Sequence, residues 1–471
     1  MGQEIDSSRF SQNDFDVFAA KLKKETEQLE KAFTEKQFSE TGNIIGYEIE
    51  AWLVSQSGTP IPINQTFLEK LDNPLVVHEL AAFNVELNSE PLALRGKTLS
   101  IMEENLHTTW ATCRNTAREL SVDLMMIGIL PSIQERHLSI ENMSKLNRYH
   151  ALNEQLMKHR HGKPLQLDIS GRQSINTSHN NVMMESACTS FQLHLQTPLH
   201  KAACYLNLSS LVSGPMVAVA ANSPYLFGKD LWDETRIPLF EQSVDIEKNN
   251  FRRVTFGHDY IRDSIMENYH DNLKHYPVLV PINIDSAPEE FRHLSFHNGT
   301  IWRWNRPLIG FDDQQLPHLR IEHRVIPSGP SVIDSVANAA FYFGLVNGLE
   351  DQAETLINEI PFTDARDNFY ECAKHGLAAR VRWGKHGEVG IKELLLDHLI
   401  PVAITGLERC DVDTEDTKKY MNVIRQRVSS EQNGAGWQRR WVATHGNDMQ
   451  RLTCSYMQRQ NDGKPVHEWS I

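Results

Sequence analysis

The chain has 471 residues, 40% hydrophobic and 23% charged, the composition of an ordinary globular protein. A formal net charge of −14 argues against a nucleic-acid binder, although it leaves room for a local basic pocket. No apolar run approaches the roughly 20 residues of a membrane span, the start MGQEIDSSRF is too polar for a secretory signal, and six scattered cysteines without a CxxC pair read as reduced thiols in a cytoplasmic protein.

The first predicted element is an amphipathic helix. In SQNDFDVFAAKLKKETEQLEKAFTEK, Phe15, Phe18, Leu22, Leu29 and Phe33 recur at helical spacing, with Ser11, Asn13 and Asp14 as caps. NIIGYEIEAWLV reads as a strand whose two faces differ: Tyr47, Ile49, Ala51 and Leu53 against Glu48, Glu50 and Trp52. VVHELAAF reads equally as a strand end or a helix turn. FNVELNSEP sets Phe83, Val85 and Leu87 against Asn84, Glu86, Asn88 and Glu90. A second helix, IMEENLHTTWATCRNTAREL, carries Met102, Leu106, Trp110, Cys113, Ala117 and Leu120 as its stripe, and VDLMMIGILP follows as a buried strand ended by Pro131. SFQLHLQT sets Phe191, Leu193 and Leu195 against Ser190, Gln192, His194 and Gln196. TIWRWNRP is a less regular strand, with Arg303 and Asn305 opposite Trp302 and Trp304. HLRIEHRV sets Leu319, Ile321 and Val325 against His318, Arg320, Glu322 and Arg324. From about 331 the pattern turns helical, in SVIDSVANAAFYFGLVNGLE, NFYECAKHGLAARVRW, IKELLLDHLIPVAITGLE and TKKYMNVIRQRVSSEQ, and the tail RQNDGKPVHEWSI reads as loose. This divides the chain into a helical segment over 1–40, an α+β core over 41–345, and a helical part over 346–471 packed on that core.

An antiparallel sheet with one solvated face would explain any single strand of this kind. The set is harder to explain that way. Solvated faces favour Lys and Thr, whereas these carry Glu, Gln, Asn, His and Arg. If the faces converge, carboxylates about 5 Å apart repel by roughly 3 kcal/mol per pair at an effective dielectric near 20, and cations must accompany them. Hard oxygen ligands in that number select Mg²⁺ or Mn²⁺, commonly shared with substrate phosphates. Arg320 and Arg324 beside Glu322 fit clamps for phosphate or carboxylate.

GYEIE, HELAAFNVELNSEP, CTSFQLHLQ, NSPYLFGKDLWDETR and HLRIEHR occur in the order seen in glutamate–cysteine ligases, and from about 44 to 380 the chain resembles the branch with the plant-type enzymes and the bacterial carboxylate–amine ligases. The resemblance implies a glutamine-synthetase-like fold, an antiparallel half-open barrel with helices outside, and ATP, Mg²⁺ and an acyl-phosphate intermediate. It implies metal ligation by Glu48, Glu50, Glu79, Glu86 and Glu322, with His194, or Gln192, serving metal or substrate. Arg236 and Arg324 match substrate- or phosphate-contacting arginines. Arg320 joins them as a catalytic candidate, and Gln192, Thr300 and Arg303 complete the set as substrate or ATP contacts. The two tryptophans, Arg303 and Arg306 of HNGTIWRWNRP depart from the family pattern. The expected reaction joins the γ-carboxylate of glutamate to an amine, cysteine being the leading acceptor. Its partners are small molecules, with no nucleic acid or membrane, and an oligomer is left open. Another amine acceptor, a metal-dependent hydrolase and an inactive binding relative are the alternatives. No GxxxxGK[ST] or GxGxxG motif is present to hold the nucleotide.

Overall fold

A computed structural model describes residues 4–5, 9–246 and 251–471; part of the polar start at 1–10 lies outside the described residues. The class is α+β, and its organising element is an eight-stranded antiparallel sheet that curls into a half-barrel. Its strands are β1 (Ile44–Val54), β2 (Val76–His78), β3 (Asn84–Asn88), β4 (Leu92–Ala93), β5 (Asp123–Met125), β6 (Ser190–Thr197), β7 (Asn305–Phe311) and β8 (Pro317–Pro327). The spatial order is β7–β8–β6–β1–β3–β2, with β4 and β5 also paired to β1. Period-two alternation sends Ile45, Tyr47, Ile49, Ala51 and Leu53 of β1 into the core, where all are buried.

The helices Ala202–Ala220 and Val332–Leu349 cover the apolar side of the sheet. They are apolar all round, as a helix enclosed by other elements must be. Contrary to the sequence expectation, the runs Leu199–Ala220 and Val332–Glu359 are long and apolar enough to cross a membrane by length and composition. In each, 89% of the apolar window is buried inside the protein, so both serve as core helices here. The opening helix spans Gln12–Thr34 and buries Phe18, Leu22 and Leu29; the second spans Thr98–Glu119 and buries Met102, Leu106, Trp110, Cys113 and Ala117.

Four local expectations need correction. VVHELAAF is the short strand β2 followed by a turn, not a helix turn. VDLMMIGILP is buried throughout, but only Asp123–Met125 pairs as strand. NFYECAKHGLAARVRW is helical only to His375, and Arg380–Arg382 then pairs with Glu388–Gly390. The tail is not loose. Val466 and Trp469 are buried, and the Trp469 ring stands edge-on to Trp437 and Tyr456 at 5.2 and 5.0 Å. Two widely spaced apolar residues make no periodic signal, yet they close the core over the helices Gly434–His445 and Met449–Asn461. The side chain of Gln432 fixes the tail by donating to the carbonyls of Val466 and Trp469. Trp469→Ala should therefore cost about 3 kcal/mol or more, the usual range for emptying a buried aromatic site. Chemical denaturation of the full chain measures it, and unchanged stability would mean that the tail is not part of the core.

Candidate active site

Register determines which polar side chains meet. Across β1, Glu48 lies opposite Gln192 of β6 and Asn88 of β3, and Glu50 lies opposite Glu86 of β3. His194 of β6 lies opposite Glu322 of β8, which in turn lies opposite Arg306 of β7. Glu48, Glu50, Glu86, Gln192, Arg306 and Glu322 line a cavity of about 440 Å³, with Glu79, Arg148, Tyr149, Glu185, Trp302, Arg320 and Arg324 in the same wall. His194 lines an adjoining cleft of about 490 Å³ that shares Glu48, Asn88 and Arg320 with the first.

Two triads stand out. Glu48, His194 and Glu322 form one, Glu50, Glu79 and Glu86 the other, and within each the potential ligand atoms lie within 4.8 Å of one another. The first is already partly neutralised. Arg306 and Arg324 both pair with Glu322, the latter at 3.0 Å. Burial pushes the Glu322 carboxyl up, but these two arginines outweigh it and hold the pKa far below the ordinary carboxylate range. Glu48 is also lowered, because the nearby His194 outweighs burial. Arg320 Nε donates to His194 Nδ1 at 3.1 Å, which leaves the imidazole proton on Nε2, 3.1 Å from Glu48 Oε1. For Nε2 to ligate a cation, Arg320 must release Nδ1.

Among the described residues the second triad makes no ion pair, although the charges of Arg324 and Arg148 lower Glu50 and Glu79 in part. Glu50 accepts from the Ser190 backbone and hydroxyl at 2.7 and 2.9 Å and from Gln192 at 3.2 Å. Glu86 accepts from Asn88 at 3.1 Å, and Glu79 from the Leu80 N–H at 3.1 Å. These donors are neutral and do not cancel the mutual repulsion. Burial, then the Glu86 charge, raises Glu50 to about 7; burial, then the Glu50 charge, raises Glu79 to about 8. Burial and Glu48 push Glu86 well above its ordinary value. Glu185 is likewise raised to about 8 by burial and by Glu50. Three carboxylates on one point suit a hard divalent cation, and the all-oxygen set fits Mg²⁺; the imidazole of the first triad suits Mn²⁺ equally well.

All six candidate metal ligands thus fall into the two triads, and Gln192, Arg320 and Arg324 line the cavity beside them. Three other expected residues do not. Arg236 is buried behind β8, paired with Glu234 at 3.1 Å and over the Trp304 ring at 5.4 Å. Its remaining donors go to the carbonyls of Arg324 and Val325, where the β8–β6 register shifts between His323 and Ile326. Such an irregularity frees ladder carbonyls and re-aims a side chain, so Arg236 braces the backbone that presents Arg324. Arg303 is spent on Asp271 and Asn272, and Thr300 bonds His297 and Arg253. Neither lines the cavity. The strand begins only at Asn305, so the reading from Thr300 placed the wrong parity inward. Arg306 is the inward arginine, and its position opposite Glu322 was the available signal. Glu185, Arg148 and Tyr149 were missed because they lie on a turn and a helix outside the sheet.

A family model described as Glutamate-cysteine ligase family 2 matches residues 44–461. No curated protein sequence matches the chain. Among solved structures, a glutamate–cysteine ligase from Francisella tularensis in complex with AMP aligns with a TM-score of 0.58 at 11% identity, over 92% of this chain and 90% of that one. A bifunctional glutathione synthetase from Pasteurella multocida aligns with a TM-score of 0.53 at 11% identity, over 93% of this chain and 54% of its own. These likenesses bear out the glutamine-synthetase-like α+β fold.

The second triad has a measurable signature. Raised carboxylate pKa values stabilise the folded state fully below the unfolded value of about 4.3, and the contribution is lost as pH rises through the folded values. Those values are about 7 for Glu50 and about 8 for Glu79. In EDTA, the melting temperature should fall between about pH 4.5 and pH 8, and Glu86→Gln should flatten the fall. Excess Mg²⁺ should restore stability over the same window. A pH-independent melting temperature in EDTA would contradict the repulsion.

Proposed function

The chain belongs to glutamate-cysteine ligase family 2, and from that membership we propose that this carboxylate–amine ligase uses ATP to join the γ-carboxylate of glutamate to an amine, cysteine being the leading acceptor. The observation that carries the reading is the pair of triads on the wall they share with Arg306, Arg320 and Arg324. Six glutamates and four arginines line the cavity, a formal excess of two negative charges once every carboxylate is ionised. Mg²⁺ or Mn²⁺ held by the triads would reverse that excess and offset the charge of ATP phosphates and the glutamate carboxylate. The AMP in the Francisella tularensis ligase supports a nucleotide in this chain too. Six unpaired cysteines suit a reducing cytoplasm.

Joining a carboxylate to an amine requires a carboxylate oxygen to leave, and at neutral pH it leaves poorly. Transfer of the ATP γ-phosphoryl group onto that oxygen makes an acyl phosphate. The amine, its ammonium proton lost to solvent, attacks the acyl carbon with its lone pair; the C–N bond forms, phosphate departs with the electron pair of the C–O bond, and the proton released from nitrogen ends on the phosphate. The protein supplies position and charge rather than a covalent partner. Arg324 is held at Glu322 and Gln192, and Arg236 fixes its backbone, so its fork is preorganised for a phosphoryl oxygen. Arg306 binds Glu322 and the carbonyls of Asn298, Gly299 and Ile301, which ties the Gly299–Trp302 wall to the sheet. Burial raises the Cys188 thiol well above its ordinary range, which removes it as a nucleophile.

Glutamate carrying ¹⁸O in its γ-carboxylate should deliver one label into the released phosphate, with ADP as co-product. Pyrophosphate and AMP would refute the acyl-phosphate route, and unlabelled phosphate would count equally against it. Arg324→Lys should lower kcat about tenfold or more, because a point charge does not reproduce a bidentate fork. An effect confined to the KM of the amine would place Arg324 elsewhere in the reaction.

A further inference from the structure

The cavity holds one carboxylate that neither triad uses. Of its six glutamates, Glu48, Glu50, Glu79, Glu86 and Glu322 belong to the triads, and each accepts a hydrogen bond or an ion pair. Glu185 belongs to neither, and among the described residues its carboxylate makes no hydrogen bond or ion pair. It is near enough to Glu50 and Arg324 to feel both charges. The side chain therefore faces the reacting region with its oxygens uncommitted.

Its backbone is firmly placed. Glu185 sits in the six-residue 3₁₀ segment Val182–Ala187, capped by Asn181 on the Met183 N–H at 3.0 Å. The Val182 N–H donates to Asn153 of the helix Asn147–His159 at 3.1 Å, and the segment packs against the helix Arg236–Ser243. Leu152 and Val244, from these neighbouring elements, line the same cavity. An uncommitted carboxylate in a cavity whose wall is partly apolar suits a cation with a carbon skeleton, since a charge pair gains strength where water is displaced.

Resting on the ligase reading above, we propose that Glu185 receives the acceptor as a primary ammonium, with its carbon skeleton toward the apolar part of the cavity wall. The triads would be committed to divalent cations and Arg324 to a phosphoryl oxygen. Glu185 is then the cavity group left to distinguish a cationic amine from a neutral nucleophile.

Hydroxylamine provides the contrast, because it is neutral at pH 7.5 and traps an acyl phosphate as a hydroxamate. Wild type, Glu185→Gln and Glu185→Asp would be assayed with ATP, Mg²⁺ and glutamate. The nucleophile would be hydroxylamine or one of L-cysteine, glycine and ethylamine. Glu185→Gln should lower kcat/KM for the amine about tenfold or more and lower hydroxamate formation by a much smaller factor. Glu185→Asp should recover part of the loss. Unchanged amine ligation in Glu185→Gln would overturn the assignment. So would equal losses with amine and hydroxylamine, which would move Glu185 to the phosphoryl step. Wild-type protein that forms hydroxamate yet joins none of the three amines would also refute it. Wild-type protein that forms no ATP-dependent hydroxamate would instead bring down the ligase reading, and the assignment with it.

Discussion

Three glutamates converge on one point, and much of the rest of the site is arranged around that constraint. At a separation of up to 4.8 Å, each ionised pair among Glu50, Glu79 and Glu86 repels by about 3 kcal/mol at an effective dielectric of 20. Nothing in local structure forces this arrangement on the chain. Glu50 and Glu86 are brought together by the β1–β3 register, and Glu79 is delivered by the turn after β2. A fold that only needed stability would place apolar or oppositely charged residues there. Repulsion held in place by a rigid sheet is the signature of a site built to bind positive charge.

The second triad contrasts usefully with the first. Around Glu322 the fold supplies its own cations, Arg306 and Arg324, and around Glu48 it supplies the Nε2 side of His194. The cavity is thus acidic toward β2 and β3 and mixed toward β8. A reaction that brings together phosphates, a carboxylate and an amine needs both kinds of wall. Arg236 shows how far the support extends. Its guanidinium never reaches the cavity, yet it satisfies the carbonyls freed where β8 loses register, and so keeps Arg324 aimed inward.

Much of this was legible in the sequence because strand alternation is a strong signal. Glu48, Glu50, Glu86, Gln192, His194, Glu322, Arg320 and Arg324 could be assigned to polar faces before any strand order was known. What alternation could not supply was the starting point of an irregular strand. A one-residue slip reverses the inward and outward sides, and this exchanged Arg306 for Arg303. Groups on helices and turns outside the sheet were invisible for a related reason, since a single Glu185 or Arg148 has no period to betray it. The buried tail was hidden because Val466 and Trp469 stand alone among polar residues. Arg236 was expected to contact substrate or phosphate, but its burial behind β8 depends on long-range packing that strand alternation does not reveal.

Anomalous diffraction from crystals grown with Mn²⁺ and a non-hydrolysable ATP analogue tests the central claim most directly. The account predicts one ion on Glu50, Glu79 and Glu86 and another on Glu48, His194 and Glu322, each at coordination distances of about 2.2 Å. Peaks remote from both triads, or none at all at saturating Mn²⁺, would contradict it.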